Sequence, residues 1–204
     1  MSPPVIYLAS KSPRRQELLR QVGVEFEEVR LREAPGRRRD VVEAPRADET
    51  PLDYVKRIAR AKAVIGWQRM VRRDLPRRPV LGADTEVVLD GTIFGKPRDA
   101  RDAMRMLAQL SGRTHRVITA VAVSWEAQVV RATSTSKVTF RTLAHDEIER
   151  YVATGEPFDK AGAYAVQGRA AAFITRLEGS YSGVMGLPLC ETADILARIG
   201  FDVL

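Results

Sequence analysis

Apolar and polar positions change period several times along this chain, and each change marks an element. The short apolar run from Val5 to Ala9 predicts a strand. After it, Leu18, Leu19 and Val22 return at helical spacing. Ser12 stands as the N-cap, Pro13 as the first helical residue and Gly23 just past the end. A second extended stretch follows over 25–31, and then REAPGRRRDVVEAPRADE (32–49) loses all periodicity and reads as a loop. Thr50 and Pro51 open the next helix with a capping-box-like Thr-x-x-Asp to Asp53. Val55, Ile58, Ala59, Lys62 and Ile65 share one of its faces. Lys62 thus sits on an apolar stripe, and geometry alone predicts that it snorkels to water.

The pattern then shortens to a period of two. VLGADTEVVLDGTIFGKP reads as two strands joined by Asp90-Gly91, a strong hairpin signal. A two-residue turn there pairs Leu89 with Thr92, and counting back places Thr85 opposite Lys96 with Asp84 adjacent. An acid, a hydroxyl and an ammonium converge at the hairpin's open end. An amphipathic helix over 98–112, strands over 116–125 and 129–143 and a short helix over 145–155 follow. GEPFDKAGAYAVQG is a glycine-punctuated polar loop suited to surround a ligand. AAFITRLEGSY returns as a strand, and the last helix carries Leu189, Ile195, Leu196 and Ile199 toward the core, with Cys190 read as a small buried residue.

Charge changes the picture at one place. Arg14 and Arg15 stand in the first turn of the first helix, where cations oppose the helix dipole at about 0.3–1 kcal/mol each. An anionic ligand at that helix start is what makes such a placement useful. The net charge of +7 invites a nucleic-acid reading, but only six lysines accompany 27 arginines, and the arginine runs fall in loop-like segments. They read as solvated surface that helps to attract anionic substrates. The single cysteine and the lack of a leader-like or membrane-length apolar run predict a cytoplasmic protein with no membrane partner. His115 and His145 are isolated, which excludes a zinc ligand set, and no serine or cysteine stands in a nucleophile motif. The polar residues suit metal-assisted attack by water on a nucleotide phosphate.

In this order, LASKSPRRQELL, VLGADTEVV, GKP, LSGRTHRVITAV, GEPFDKAGAYAVQG and GLPL resemble the successive motifs of the Maf family of nucleoside triphosphate pyrophosphatases. The resemblance runs from Tyr7 to about Thr192. It implies a single domain over 1–204 with two lobes, an α/β fold on a long mixed sheet flanked by helices and similar to the inosine triphosphate pyrophosphatases. The active site would lie in the cleft between the lobes. It also implies cleavage between the α- and β-phosphates with a divalent cation, Mg²⁺ or Mn²⁺, and a homodimer. DKAGAYAVQG resembles the branch acting on dTTP and UTP, with modified pyrimidine triphosphates within reach. The 7-methyl-GTP branch is the alternative enzyme reading, and a non-catalytic nucleic-acid or division-machinery binding protein is the alternative of another class.

Carried over by resemblance, Asp84 is the catalytic acid or metal holder, and Lys62 and Lys96 are site lysines. Ser10, Arg14 and Arg15 grip phosphate, with Thr85 beside Asp84. Gln167 contacts the base or phosphate, Lys160 supports its loop, and Glu43 matches an acidic metal residue that precedes the Thr50 helix. Glu86 departs from the pattern, standing where the family has an aliphatic residue, so it either adds a carboxylate to the site or faces solvent. No stable nucleic-acid complex is expected.

Overall fold

A computed structural model describes residues 5–32 and 40–203; residues 33–39, with most of the Arg-rich run, lie outside them. Among the described residues seven strands form one sheet: β1 (Val5–Leu8), β2 (Glu25–Glu28), β3 (Val80–Leu89), β4 (Thr92–Phe94), β5 (Thr114–Trp125), β6 (Gln128–Phe140) and β7 (Ile174–Glu178). Their order is β2-β1-β3-β5-β6-β7, with β4 paired to β3. β1 lies parallel to β2 and β3, and the other pairs are antiparallel, so the sheet is mixed. The helices are α1 (Pro13–Gln21), α2 (Pro51–Arg72), α3 (Ala100–Leu110), α4 (His145–Ala153), α5 (Tyr181–Met185) and α6 (Leu189–Ala197). Among the described residues no helix is long and apolar enough to cross a membrane.

Alternation along β3 and β5 distributes the core. One face of the sheet meets α2, where Tyr54, Val55, Ile58, Ala59 and Ala63 pack on Val88, Ile118, Ala120 and Ala122. The opposite face carries two apolar clusters. In one, Leu18 and Leu19 of α1 and Ile195 and Leu196 of α6 cover Ile6, Leu8, Leu81, Ala83 and Val121. In the other, Leu107 and Leu110 of α3 and Ile148 and Tyr151 of α4 cover Val87, Leu89, Val117 and Phe140. Between Ala83 and Val87 the same face of β3 presents Thr85, opposite Thr119 of β5, so a polar pair divides the two clusters.

Chain punctuation also leaves a gap in the sheet. On the β3 edge away from β5, β1 pairs only as far as Leu8↔Leu81, because Pro13 starts a helix soon afterwards. β4 pairs only Val87 to Leu89 and ends at Phe94, three residues before Pro97, which has no N–H to donate. Among the described residues, 82–86 therefore have no ladder partner on that edge. Asp90 (φ 50°) and Gly91 (φ 79°) form the left-handed turn that the hairpin signal predicts, and Leu89 pairs with Thr92. The expected pairing of Thr85 with Lys96 does not form, since the β3–β4 ladder stops at Val87↔Phe94.

Local expectations hold unevenly. Thr50 Oγ1 accepts from the Asp53 N–H at 3.2 Å, as the capping pattern predicts. Ser12 occupies the N-cap of α1, but its side chain makes no capping bond. The segment expected as a strand from 171 opens instead as a 3₁₀ turn over Arg169–Phe173, whose RAAAF sequence has no two-residue alternation, and β7 begins at Ile174. Cys190 is exposed, not buried, because the inward stripe of α6 runs through Thr192, Ile195 and Leu196.

Candidate active site

The open edge of β3 lies where the charged residues gather. Gly82 lets α2 approach almost backbone to backbone: a Cβ there would stand 2.5 Å from Ala63 N and 2.6 Å from Ala59 O. That contact includes Lys62, whose Cβ would stand 3.0 Å away, and so sets Lys62 beside Asp84 two residues along β3. Lys62 Nζ lies 2.8 Å from Asp84 Oδ1 and 2.8 Å from Glu43 Oε1, so one ammonium bridges a strand and the segment before α2. The snorkelling expected from periodicity is thus wrong. The Lys62 side chain is only 13% exposed, and two carboxylates hold it.

Asp84 is 7% exposed, and its second oxygen, Oδ2, is buried with no hydrogen-bond partner. Glu86, two residues along the same face, has a buried Oε2 in the same condition. It does not face solvent. Burial first, then the charge of Asp84, pushes the Glu86 carboxyl up to about 8. Burial likewise raises Asp84, against the pull of Lys62 and Arg15. Burial also acts to raise Glu43, but Lys62, with help from Lys96 and Arg15, holds it below the usual carboxylate range. Lys96 is exposed two residues past β4, within electrostatic reach of both Glu43 and Glu86.

Arg15 reaches the site from α1. Its Nε donates to the Gly186 carbonyl at 2.8 Å, and its terminal nitrogens donate to Ser10 Oγ at 3.2 Å and Thr85 Oγ1 at 3.3 Å. These partners are neutral, and desolvation lowers the Arg15 pKa although Asp84 opposes the shift. Thr119 Oγ1 supports the group from below, 2.9 Å from Thr85 Oγ1 and 2.7 Å from the Gly183 carbonyl oxygen. Arg14 is half-buried, and Asp159, from the loop after α4, acts on it electrostatically. Lys160 Nζ donates to the Glu156 carbonyl at 2.6 Å and so ties that loop to itself. Gln167 in the same loop is exposed.

Two contact groups, Ser10–Arg15–Thr85 and Glu43–Lys62–Asp84, thus stand beside each other, coupled by the charges of Arg15, Asp84 and Glu43, with Lys96 and Arg14 near them by charge. Three contributors escape the sequence reading. Thr119 has a signal, a lone hydroxyl in the apolar run VITAVAV. The Gly186 carbonyl has none, since backbone acceptors carry no residue signature. The burial of Glu86 depends on α2 lying over β3, which periodicity alone does not place.

A protein-family model described as Maf-like protein matches residues 5–199. The chain belongs to this family. Among similar Maf-like sequences, a protein of Aromatoleum aromaticum named dTTP/UTP pyrophosphatase is 56% identical over 97% of this chain and 97% of its own length. Proteins of the same name from Nitrosomonas europaea, at 52% identity over 97% and 96%, and Cupriavidus metallidurans, at 56% over 96% and 97%, match equally fully. The solved Staphylococcus aureus Ham1 protein aligns at a TM-score of 0.43 and 13% identity, over 83% of this chain and 90% of that one. The mixed sheet described above stands without it.

Proposed function

We propose that this Maf-like protein is a nucleoside triphosphate pyrophosphatase that hydrolyses dTTP and UTP to the monophosphate and pyrophosphate. Its relatives' shared name at 50–56% identity supports the substrate class. The observation that carries the chemistry is Asp84: a buried carboxylate held at one oxygen by Lys62 and left without a partner at the other.

Roles follow from position. Arg14, Arg15, Ser10 and the uncapped start of α1 bind the polyphosphate, which accounts for cations at a helix end where they otherwise cost stability. Lys96 adds positive charge from the hairpin side. Asp84 Oδ2 orients the attacking water and accepts its proton as the water oxygen bonds to the α-phosphorus. The bond from that phosphorus to the bridging oxygen breaks, and pyrophosphate leaves with the electron pair. Lys62 holds Asp84 in place and offsets negative charge as phosphate enters. Gln167 and Thr85 contact the nucleotide and set selectivity.

The carboxylates also suit a divalent cation. Among the described residues no group of three or more His, Cys, Asp or Glu side chains is assembled to hold a metal ion. Mg²⁺ or Mn²⁺ at a nucleotide needs no such group, being taken up through one or two carboxylates and completed by phosphate oxygens and water. Asp84 and the exposed Glu43 are the carboxylates that would hold it. When bound, it would polarise the phosphoryl oxygens and lower the pKa of a coordinated water.

Pyrophosphate release from the purified protein over dTTP, UTP, CTP, GTP, ITP and 7-methyl-GTP, with and without Mg²⁺ or Mn²⁺, tests this. Metal-dependent cleavage of dTTP and UTP is expected. Preference for 7-methyl-GTP, or silence across the panel, overturns it.

A further inference from the structure

The loop that follows α4 is bent through four left-handed residues, Gly155 (φ 77°), Asp159 (φ 66°), Gly162 (φ 68°) and Ala163 (φ 61°). Two of them carry side chains, so the surroundings must hold the bend against its own preference. One hold is at the middle, where the Gly162 N–H donates to the Gly95 carbonyl at 3.1 Å and Tyr164 Oη meets His115 Nε2 at 2.8 Å.

The other hold is Glu156, which no step of the proposed chemistry uses. Its Oε2 accepts from the Arg169 N–H at 3.0 Å. Its Oε1 accepts from the Tyr151 hydroxyl at 2.9 Å and, at 3.4 Å, from the Ala170 N–H. One carboxylate therefore caps the 3₁₀ turn that ends the loop while anchored to α4 through Tyr151. It fills the space left by a missing side chain, since a Cβ on Gly168 would stand 2.3 Å from Glu156 Oε1. Gln167 immediately precedes that contact. At the loop's other end, Asp159 and Lys160 come within electrostatic reach of Arg14 at the phosphate-binding start of α1.

The geometry points to Glu156 as a positioning residue for nucleotide recognition: by fastening residue 156 to residues 168–170 it holds Gln167 and Asp159 across from the start of α1. This rests on the reading of Gln167 as a nucleotide contact. Glu156 touches neither the reacting phosphate nor Asp84, so its loss acts on substrate binding and selectivity and not on the bond-breaking step.

Steady-state kinetics of the full chain with UTP, dTTP and GTP test the assignment in E156A, E156Q and G168A, with thermal unfolding of each. E156A is expected to raise KM for UTP and dTTP by about tenfold, leave kcat within about threefold, and narrow the UTP-to-GTP ratio of kcat/KM. E156Q keeps an acceptor for the Arg169 N–H and a donor for the Tyr151 hydroxyl, and is expected to retain most of the wild-type KM and ratio. G168A drives a methyl group into the carboxylate without removing it, and is expected to reproduce E156A; the double variant is expected to be no worse than E156A. A KM and ratio unchanged in both E156A and G168A, or a loss confined to kcat, overturns the proposal while pyrimidine-triphosphatase activity in the wild type stands. A wild type inactive on UTP and dTTP overturns the functional reading and this one with it. If E156A does not fold, G168A alone decides.

Discussion

Lowering the pH should destabilise this protein through His115, a residue with no place in the proposed chemistry. His115 is 1% exposed, and its ring stacks edge-on to Phe140 and Tyr164 at centroid distances of 5.0 and 5.4 Å. Nε2 meets the Tyr164 hydroxyl, and Nδ1 is buried without a partner, so a second ring proton would have nowhere to bond. Burial accordingly lowers its pKa from 6.5 to about 4. Between those values the unfolded chain binds a proton that the folded one refuses, so stability is present at high pH and falls on acidification. At about 1.4 kcal/mol per pH unit, the loss from about pH 7.5 to about pH 5 is on the order of 2 kcal/mol. Urea unfolding of the wild type and His115→Phe at both pH values isolates this term. Phenylalanine keeps the ring packing but orphans the Tyr164 hydroxyl, at about 1–3 kcal/mol independent of pH in this range. The wild type should therefore lose about 2 kcal/mol more than the variant on acidification. Equal losses in the two proteins would show that His115 is not held neutral by burial.

Asp84→Asn should lower pyrophosphate release by about a thousandfold or more while the circular dichroism spectrum stays native, because the amide keeps the shape and loses the base. Normal turnover in that variant removes Asp84 from the mechanism. For Glu86, raised to about 8 by burial and by Asp84, the folded state holds a proton that the unfolded state releases above the ordinary carboxylate range. Its contribution weakens stability as pH climbs toward 8. In chelator, Glu86→Gln should unfold at higher urea than the wild type above about pH 8, by on the order of 1 kcal/mol or more, with the difference shrinking toward about pH 5. A wild type that is the more stable at high pH contradicts this.

Much of this molecule is legible from local signals, because those signals are themselves local physics. Pro13 and Gly23 bound α1, Thr50 and Asp53 start α2, and Asp90-Gly91 turns the β3–β4 hairpin, each through a backbone preference that needs no distant partner. The motif order alone named the family and most of the residues that meet at the β3 edge. Its limits show at Lys62, where periodicity predicts a solvated ammonium and the fold makes an ion-paired bridge. What turns one into the other is Gly82, whose missing side chain lets α2 settle with Lys62 beside Asp84. Cys190 and the RAAAF turn fail for a related reason, since which side of α6 is covered and what caps residue 169 depend on segments far along the chain. Sequence by itself determined where elements begin and end, because steric and capping preferences act over three or four residues. Only the tertiary structure decided which charges lie in low dielectric, with Asp84 and one oxygen of Glu86 buried and Arg15 desolvated among neutral partners. Burial belongs to the packing of elements and not to any one of them.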